Sequence, residues 1–226
     1  MTSTSTAIAT SLLALSVVTL LLSVIVLRRY RREHQVWHLY WGVGLFLFFV
    51  TLVQEAVLDL GVWSQLLIQS YLILVAVLVG ILSLGSAQLS LHGRWRSVYF
   101  GYIGATSVVL VVVGFLVTVP ASIVAQGVVS GVPPTSITVL SSLVTVPAAL
   151  LLILSSLYGV VRQRRYHLLY IAVGTAVISA AGALYLVSFP ATLYYAEFVG
   201  MLLLFLGFVR IPVLARTGAP QAQPAS

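Results

Sequence analysis

An all-α membrane protein is the fold class this sequence predicts: a bundle of seven transmembrane helices, N-terminus outside and C-terminus cytoplasmic. Three observations carry that expectation. Of 226 residues, 61% are hydrophobic and 7% are charged, against about 25% charged in an ordinary soluble chain. Seven apolar runs, at 7–27, 38–60, 65–91, 98–119, 135–161, 167–188 and 191–214, each reach the roughly 20 residues a helix needs to cross the hydrocarbon core. All 11 basic residues are arginines that follow the first, third and fifth runs or end the seventh, and the positive-inside rule assigns those ends to the cytoplasm.

The first run, in "MTSTSTAIATSLLALSVVTLLLSVIVLRRYRR", lacks the positive leading region of a signal peptide, since its charges come afterwards. It is expected to remain as a spanning helix. The second carries Trp37, Trp41, Gly44, Phe48, Thr51, Glu55 and Asp59 at helical steps of three or four. After the turn "DLGVWSQ", the third places Gln65, Gln69, Ala76, Gly80, Ser83, Ala87 and Ser90 on one stripe. Small and polar residues gain nothing from lipid, so such stripes are expected to face other helices.

The fourth run is joined to the fifth by the long outer loop "VPASIVAQGVVSGVPPTS". Pro147, inside the fifth, is expected to kink the helix or free a backbone carbonyl. The sixth contains "GTAVISAAGALY", where Gly174 and Gly182 permit close packing before Tyr185. In the seventh, Glu197, Gly200, Leu204 and Gly207 line up. Residues 215–226 are expected to form a short disordered cytoplasmic tail.

Chemistry is narrowed by what the composition lacks. The chain has no cysteine, which excludes disulfides, thiolate metal sites and thiol nucleophiles. No loop is long enough to fold as a domain, so a signalling role needs a membrane-protein partner or a second copy. The arginine clusters suit anionic lipid headgroups at the cytoplasmic face rather than nucleic acid. His38 and His167 open the second and sixth helices, but interfacial histidines usually hold neither haem nor metal. Trp37, Trp41, Trp63 and Trp95 lie near expected interfaces, where an aromatic belt accounts for them.

An N-outside bundle of seven helices at this length resembles the microbial rhodopsins in topology. Their retinal needs a Schiff-base lysine in the last helix, and "GMLLLFLGFV" has none. Covalent retinal is therefore excluded; a non-covalent carotenoid or lipid is not, and no cofactor is expected otherwise. The second and sixth helices open alike, "HLYWGVG" and "HLLYIAVG", which suggests a 3+1+3 parallel repeat with the fourth helix as linker. That arrangement resembles the SWEET sugar carriers. Their triples begin with a proline-bearing helix; Pro147 matches in the second half, and the first run has no counterpart. No family assignment follows.

The candidate site rests on the acidic residues, of which there are four. Glu55 is about five residues below the outer end of its helix, roughly 8 Å deep at 1.5 Å per residue. Glu197 lies at a similar depth on the seventh helix, with Asp59 above. Gln69, Tyr185 and Tyr194 belong to the same outer layer, so a ligand- or proton-binding pocket is expected there. Intramembrane carboxylates are costly and usually functional. No nucleophile, metal cluster or phosphate loop accompanies them, and catalysis is not expected. A sensory or accessory bundle binding a small or lipidic ligand is the leading expectation, and a proton- or cation-coupled carrier is the alternative. A structural subunit of a membrane complex is the third.

Overall fold

The structure, a computed structural model, describes residues 3–125, 128–129, 133–164, 166–185, 196, 199–204 and 206–207. Among the described residues, six continuous helices run in chain order: α1 (Ser3–Glu33), α2 (Val36–Asp59), α3 (Gln65–Ser90), α4 (Arg94–Leu116), α5 (Thr135–Gln163) and α6 (Leu168–Tyr185). Five of them are long and apolar enough to cross a membrane. The apolar part of α6, Leu168–Ala180, is shorter. Residues 199–204 and 206–207 are helical, but most of the seventh expected span and the whole tail lie outside the described residues.

Local chemistry explains where the helices begin and end. At the end of α2, Gly61 adopts φ +80°, the left-handed position that closes a helix. Val62 N–H then reaches the Val57 carbonyl at 3.3 Å, and Gly61 N–H reaches that of Leu58 at 2.9 Å. Ser64 opens α3 by accepting the Leu67 N–H at 3.1 Å, a side-chain N-cap. At the other end of the bundle, α1 continues through its arginines to Glu33 before a two-residue break, His34 and Gln35. Arginine is a good helix former, so charge ends the apolar run without ending the helix.

Each helix packs on its successor, and α3 also packs on α5. Consecutive helices alternate in direction. The described arginines of α1, α4 and α5 therefore gather at one end, called here the arginine end; the opposite end is the far end. α2 and α3 are central, with 50% and 44% of their spanning windows buried, whereas α4 has only 17%. The outward faces of α4 and α5 are valine- and leucine-rich, with Val108, Val112, Leu116, Val146, Leu150 and Leu154 exposed. Such faces suit lipid.

Proline in a spanning helix leaves the carbonyl four residues earlier without its usual donor. For Pro147 that carbonyl belongs to Leu143. Tyr102 of α4 donates its hydroxyl there at 2.8 Å, so the helical defect becomes the link between α4 and α5. A second link on α3 is polar: Tyr99 O–H donates to Ser83 Oγ at 2.8 Å, and Ser83 in turn to the Gly80 carbonyl at 2.6 Å.

The long loop after α4 folds back over the far end. It includes a short 3-10 turn, Ala121–Ile123, and a minimal hairpin of β1 (Val124–Ala125) with β2 (Val128–Val129). Val119 and Ile123 are buried with Leu58, Ile68 and Ile137 in one apolar cluster, and β2 touches α2. A second cluster fills the centre, built from α1, α2, α3, α5, α6 and residues 201 and 204.

Candidate functional site

One stripe of α2 organises the interior. His38, Trp41, Leu45, Phe48, Leu52 and Glu55 are all buried, at the alternating steps of three and four that keep residues on one helical face. Glu55 is 7% exposed, near the far end of the bundle. His38 lies at the arginine end, stacked on Trp37 with ring centroids 3.5 Å apart, and its Nε2 is 3.7 Å from a Glu33 carboxylate oxygen.

Around Glu55 the neutral polar side chains are largely occupied by structural tasks. Gln54 donates to Ser70 Oγ at 2.9 Å. Gln69 donates to the carbonyls of Val117, at 2.7 Å, and Phe115, at 3.4 Å. Gln65, with its amide turned so that both atoms are satisfied, donates to the Val119 carbonyl at 3.0 Å and accepts the Val119 N–H at 2.6 Å. The last carbonyls of a helix have no intrahelical donor. Two glutamines one turn apart on α3 therefore stitch down the end of α4 and the start of its loop. Gln69, expected from the sequence to belong to a ligand- or proton-binding layer, directs its amide N–H at the backbone. Asp59 and Tyr185 lie on described helix, but their side chains are outside the described set. Glu197 and Tyr194 lie outside the described residues altogether, so the expected meeting of Glu55 with Glu197 has no geometry to report.

The cavity lies elsewhere, about two to three turns in from the arginine end. It measures about 60 Å³, is partly open, and has walls from α2, α3, α5, α6 and the helical residues at 199–204. Trp41, Leu45 and Phe48 form one wall; Leu82, Leu152 and Met201 stand among the others. Trp41 is only 3% exposed, so it faces the bundle interior, whereas Trp63 and Trp95 are exposed. A Cβ on Gly85 would collide with the Trp41 ring; only a glycine there lets α3 accept the indole. The belt explanation fails for Trp41, because depth along a helix does not specify which way a ring points.

The polar groups on this lining are the indole N–H of Trp41 and the hydroxyls of Thr175 and Ser179, one turn apart on α6. The buried threonines Thr19 and Thr51 return their hydroxyls to the carbonyls of Leu15, at 2.7 Å, and Phe48, at 2.8 Å. Thr175 is 6% exposed, and its Oγ1 is buried with no hydrogen-bond partner among the described residues. A buried hydroxyl in that state costs about 1–3 kcal/mol. The sequence had shown Thr175 only as part of a small-residue stretch. Its signal was present, a hydroxyl amid glycine and alanine, but satisfaction by the helix's own backbone is the ordinary outcome.

The α6 wall is fixed by close backbone contact. A Cβ on Gly174 would fall 2.6 Å from the Gly200 carbonyl oxygen, and one on Gly207 would fall 2.5 Å from Ile171. A Cβ on Gly80 would meet Val144 at 3.0 Å, at the junction of α3 with α5. Gly182 lies in α6, its surroundings outside the described set. Comparison of the chain with protein-family models, with curated proteins and with solved structures finds no match in any of the three.

Proposed function

We propose that this chain is a non-catalytic membrane binding module of seven spanning helices that takes up an apolar, membrane-dissolved ligand between its helices. The single observation that supports this reading is the partly open apolar cavity walled by α2, α3, α5, α6 and the helical residues at 199–204. Ligand sites between the helices of a bundle are common. This reading moves the ligand from the far end, where the sequence analysis expected it, to the middle of the bundle. The N-terminus is outside, the arginine end faces the cytoplasm of the cell membrane, and anionic lipid headgroups sit against the arginines. The bound state is passed to a partner membrane protein or a second copy docked on that end.

The test is native mass spectrometry, with an absorption spectrum, on protein gently extracted from its own membrane. A stoichiometric apolar mass is the expected result; a bare chain under several mild extraction conditions would remove the ligand. Orientation has its own test. The chain has no cysteine, so single cysteines at Ser64 and Ser97 can be labelled from either side of sealed vesicles. Ser64 should react from outside and Ser97 only after permeabilisation.

A carrier is the second reading, favoured by the buried carboxylate of Glu55 and by the peripheral place of α4, as a linker between triples would have. It requires that Glu55→Gln abolish pH-driven solute uptake into proteoliposomes; uptake that is absent in the unaltered chain, or indifferent to the change, removes it. As a structural subunit, the third reading, the chain would lose assembly with Gly80→Leu and be indifferent to ligand.

A further inference from the structure

We infer that the mid-bundle cavity recognises the oxygen of an amphiphile: an apolar chain bearing one hydroxyl or carbonyl group, held by a hydrogen bond to Thr175 Oγ1 with Ser179 one turn away. The inference rests on the reading of the cavity as a ligand site and adds the chemistry of what enters. Two observations carry it together. The lining is apolar apart from the hydroxyls of Thr175 and Ser179 and the indole N–H of Trp41, and the Thr175 hydroxyl, at 6% exposure, has no partner among the described residues.

A trapped water is the simplest competitor. One water needs only about 10–15 Å³ of such space, and the cavity exceeds that several times over. A water also needs two to four polar partners; the two hydroxyls of the lining suffice for one water, which leaves most of the space unfilled. Water would leave the aromatic and leucine walls facing it unsatisfied. A hydrocarbon without oxygen has the opposite fault, filling the space and leaving the threonine hydroxyl unpaired. An alcohol or ketone on an apolar chain satisfies both surfaces.

The volume also limits how much of the ligand is enclosed. At about 60 Å³ the cavity is well below the roughly 150 Å³ that accommodates a benzene. The oxygen and the few carbons next to it fit inside, and the remainder of the chain lies in the open mouth. Ser179 is both on the lining and exposed, on the same helix as the exposed Val173 and Ala176. An exposed residue of the lining on a spanning helix suits entry sideways, from lipid beside α6.

Two photoactivatable probes separate the possibilities: decan-1-ol with a diazirine on its chain, and the matching diazirine analogue of decane. Each is added to liposomes holding the full chain, and adducts are located by peptide mass spectrometry. The alcohol probe should label the lining of α2 and α6 roughly fivefold more than the hydrocarbon, the factor expected of one hydrogen bond. Thr175→Val should reduce alcohol labelling to the hydrocarbon level and leave the hydrocarbon unchanged; Thr175→Ser should retain the preference. Equal labelling of the lining by both probes in the unaltered chain would overturn oxygen recognition while leaving an apolar ligand site intact. Labelling confined to the outward faces by both probes would overturn the ligand site as well. A preference that survives Thr175→Val would assign the oxygen to another group and overturn the role of Thr175.

Discussion

The far end of the bundle and its middle differ in how their buried polar groups are used, although the Gln54 Oε1 at the far end, like the Thr175 hydroxyl, has no partner among the described residues. At the far end, Gln65 and Gln69 close the backbone of the α4 terminus and loop, and Gln54 meets Ser70. In the middle, Thr175 holds a hydroxyl that nothing described accepts, at the edge of an apolar cavity. Polarity in a membrane helix is thus a poor guide to function by itself. A structural polar group is recognised by the backbone atoms it satisfies, and a candidate binding group by a place left open beside it.

That contrast can be broken in graded ways. The largest effect is expected at the wall that holds the cavity in shape. Gly174→Leu drives a side chain into the Gly200 carbonyl, and should cost about 3 kcal/mol or a little more, the upper end for overpacking. Unfolding in mixed micelles reads it, and a change near zero would mean that α6 and the residues near 200 do not meet closely. Next comes Gln69→Leu, which leaves the Val117 carbonyl without its side-chain donor. A loss of about 1–3 kcal/mol is expected, with ligand retention otherwise unchanged in the folded fraction; lost retention at unaltered stability would return Gln69 to the site.

Smaller again is Tyr102→Phe, expected to cost about 1 kcal/mol because Leu143 loses the donor that replaces the proline's missing N–H. In a Pro147→Ala background the helix supplies its own donor, so the same change should cost close to nothing. Additive losses in that double-mutant cycle would break the link between the proline and the tyrosine. The smallest effect belongs to Thr175→Val. Removing an unpaired buried hydroxyl should leave stability unchanged or raise it slightly, whereas a loss above about 1 kcal/mol would mean that the hydroxyl has a structural partner.

The helices were legible because crossing a membrane demands an apolar run, and such runs are visible in any window of the right length. The third expected span, 65–91, and α3, Gln65–Ser90, nearly coincide. The first expected span ends at 27, where the arginines begin, while α1 itself runs on to Glu33; long arginine side chains reach water from a helix that simply continues. Pro147 announced a freed carbonyl, but not that Tyr102 would answer it. Gln69 and Val117 lie 48 residues apart, and no local pattern pairs a glutamine with a distant carbonyl. The same limit hid the cavity. Its walls come from five places in the chain, and Gly85 makes room for Trp41 only once α2 and α3 are packed.

The most direct test of the central claim compares two spectra. Native mass spectrometry is run on the gently extracted chain and on Val79→Phe, which fills the cavity from the α3 wall. The account predicts a stoichiometric apolar adduct on the unaltered chain and its loss from the folded variant. An adduct retained in full by Val79→Phe would place the ligand outside the cavity and contradict the account.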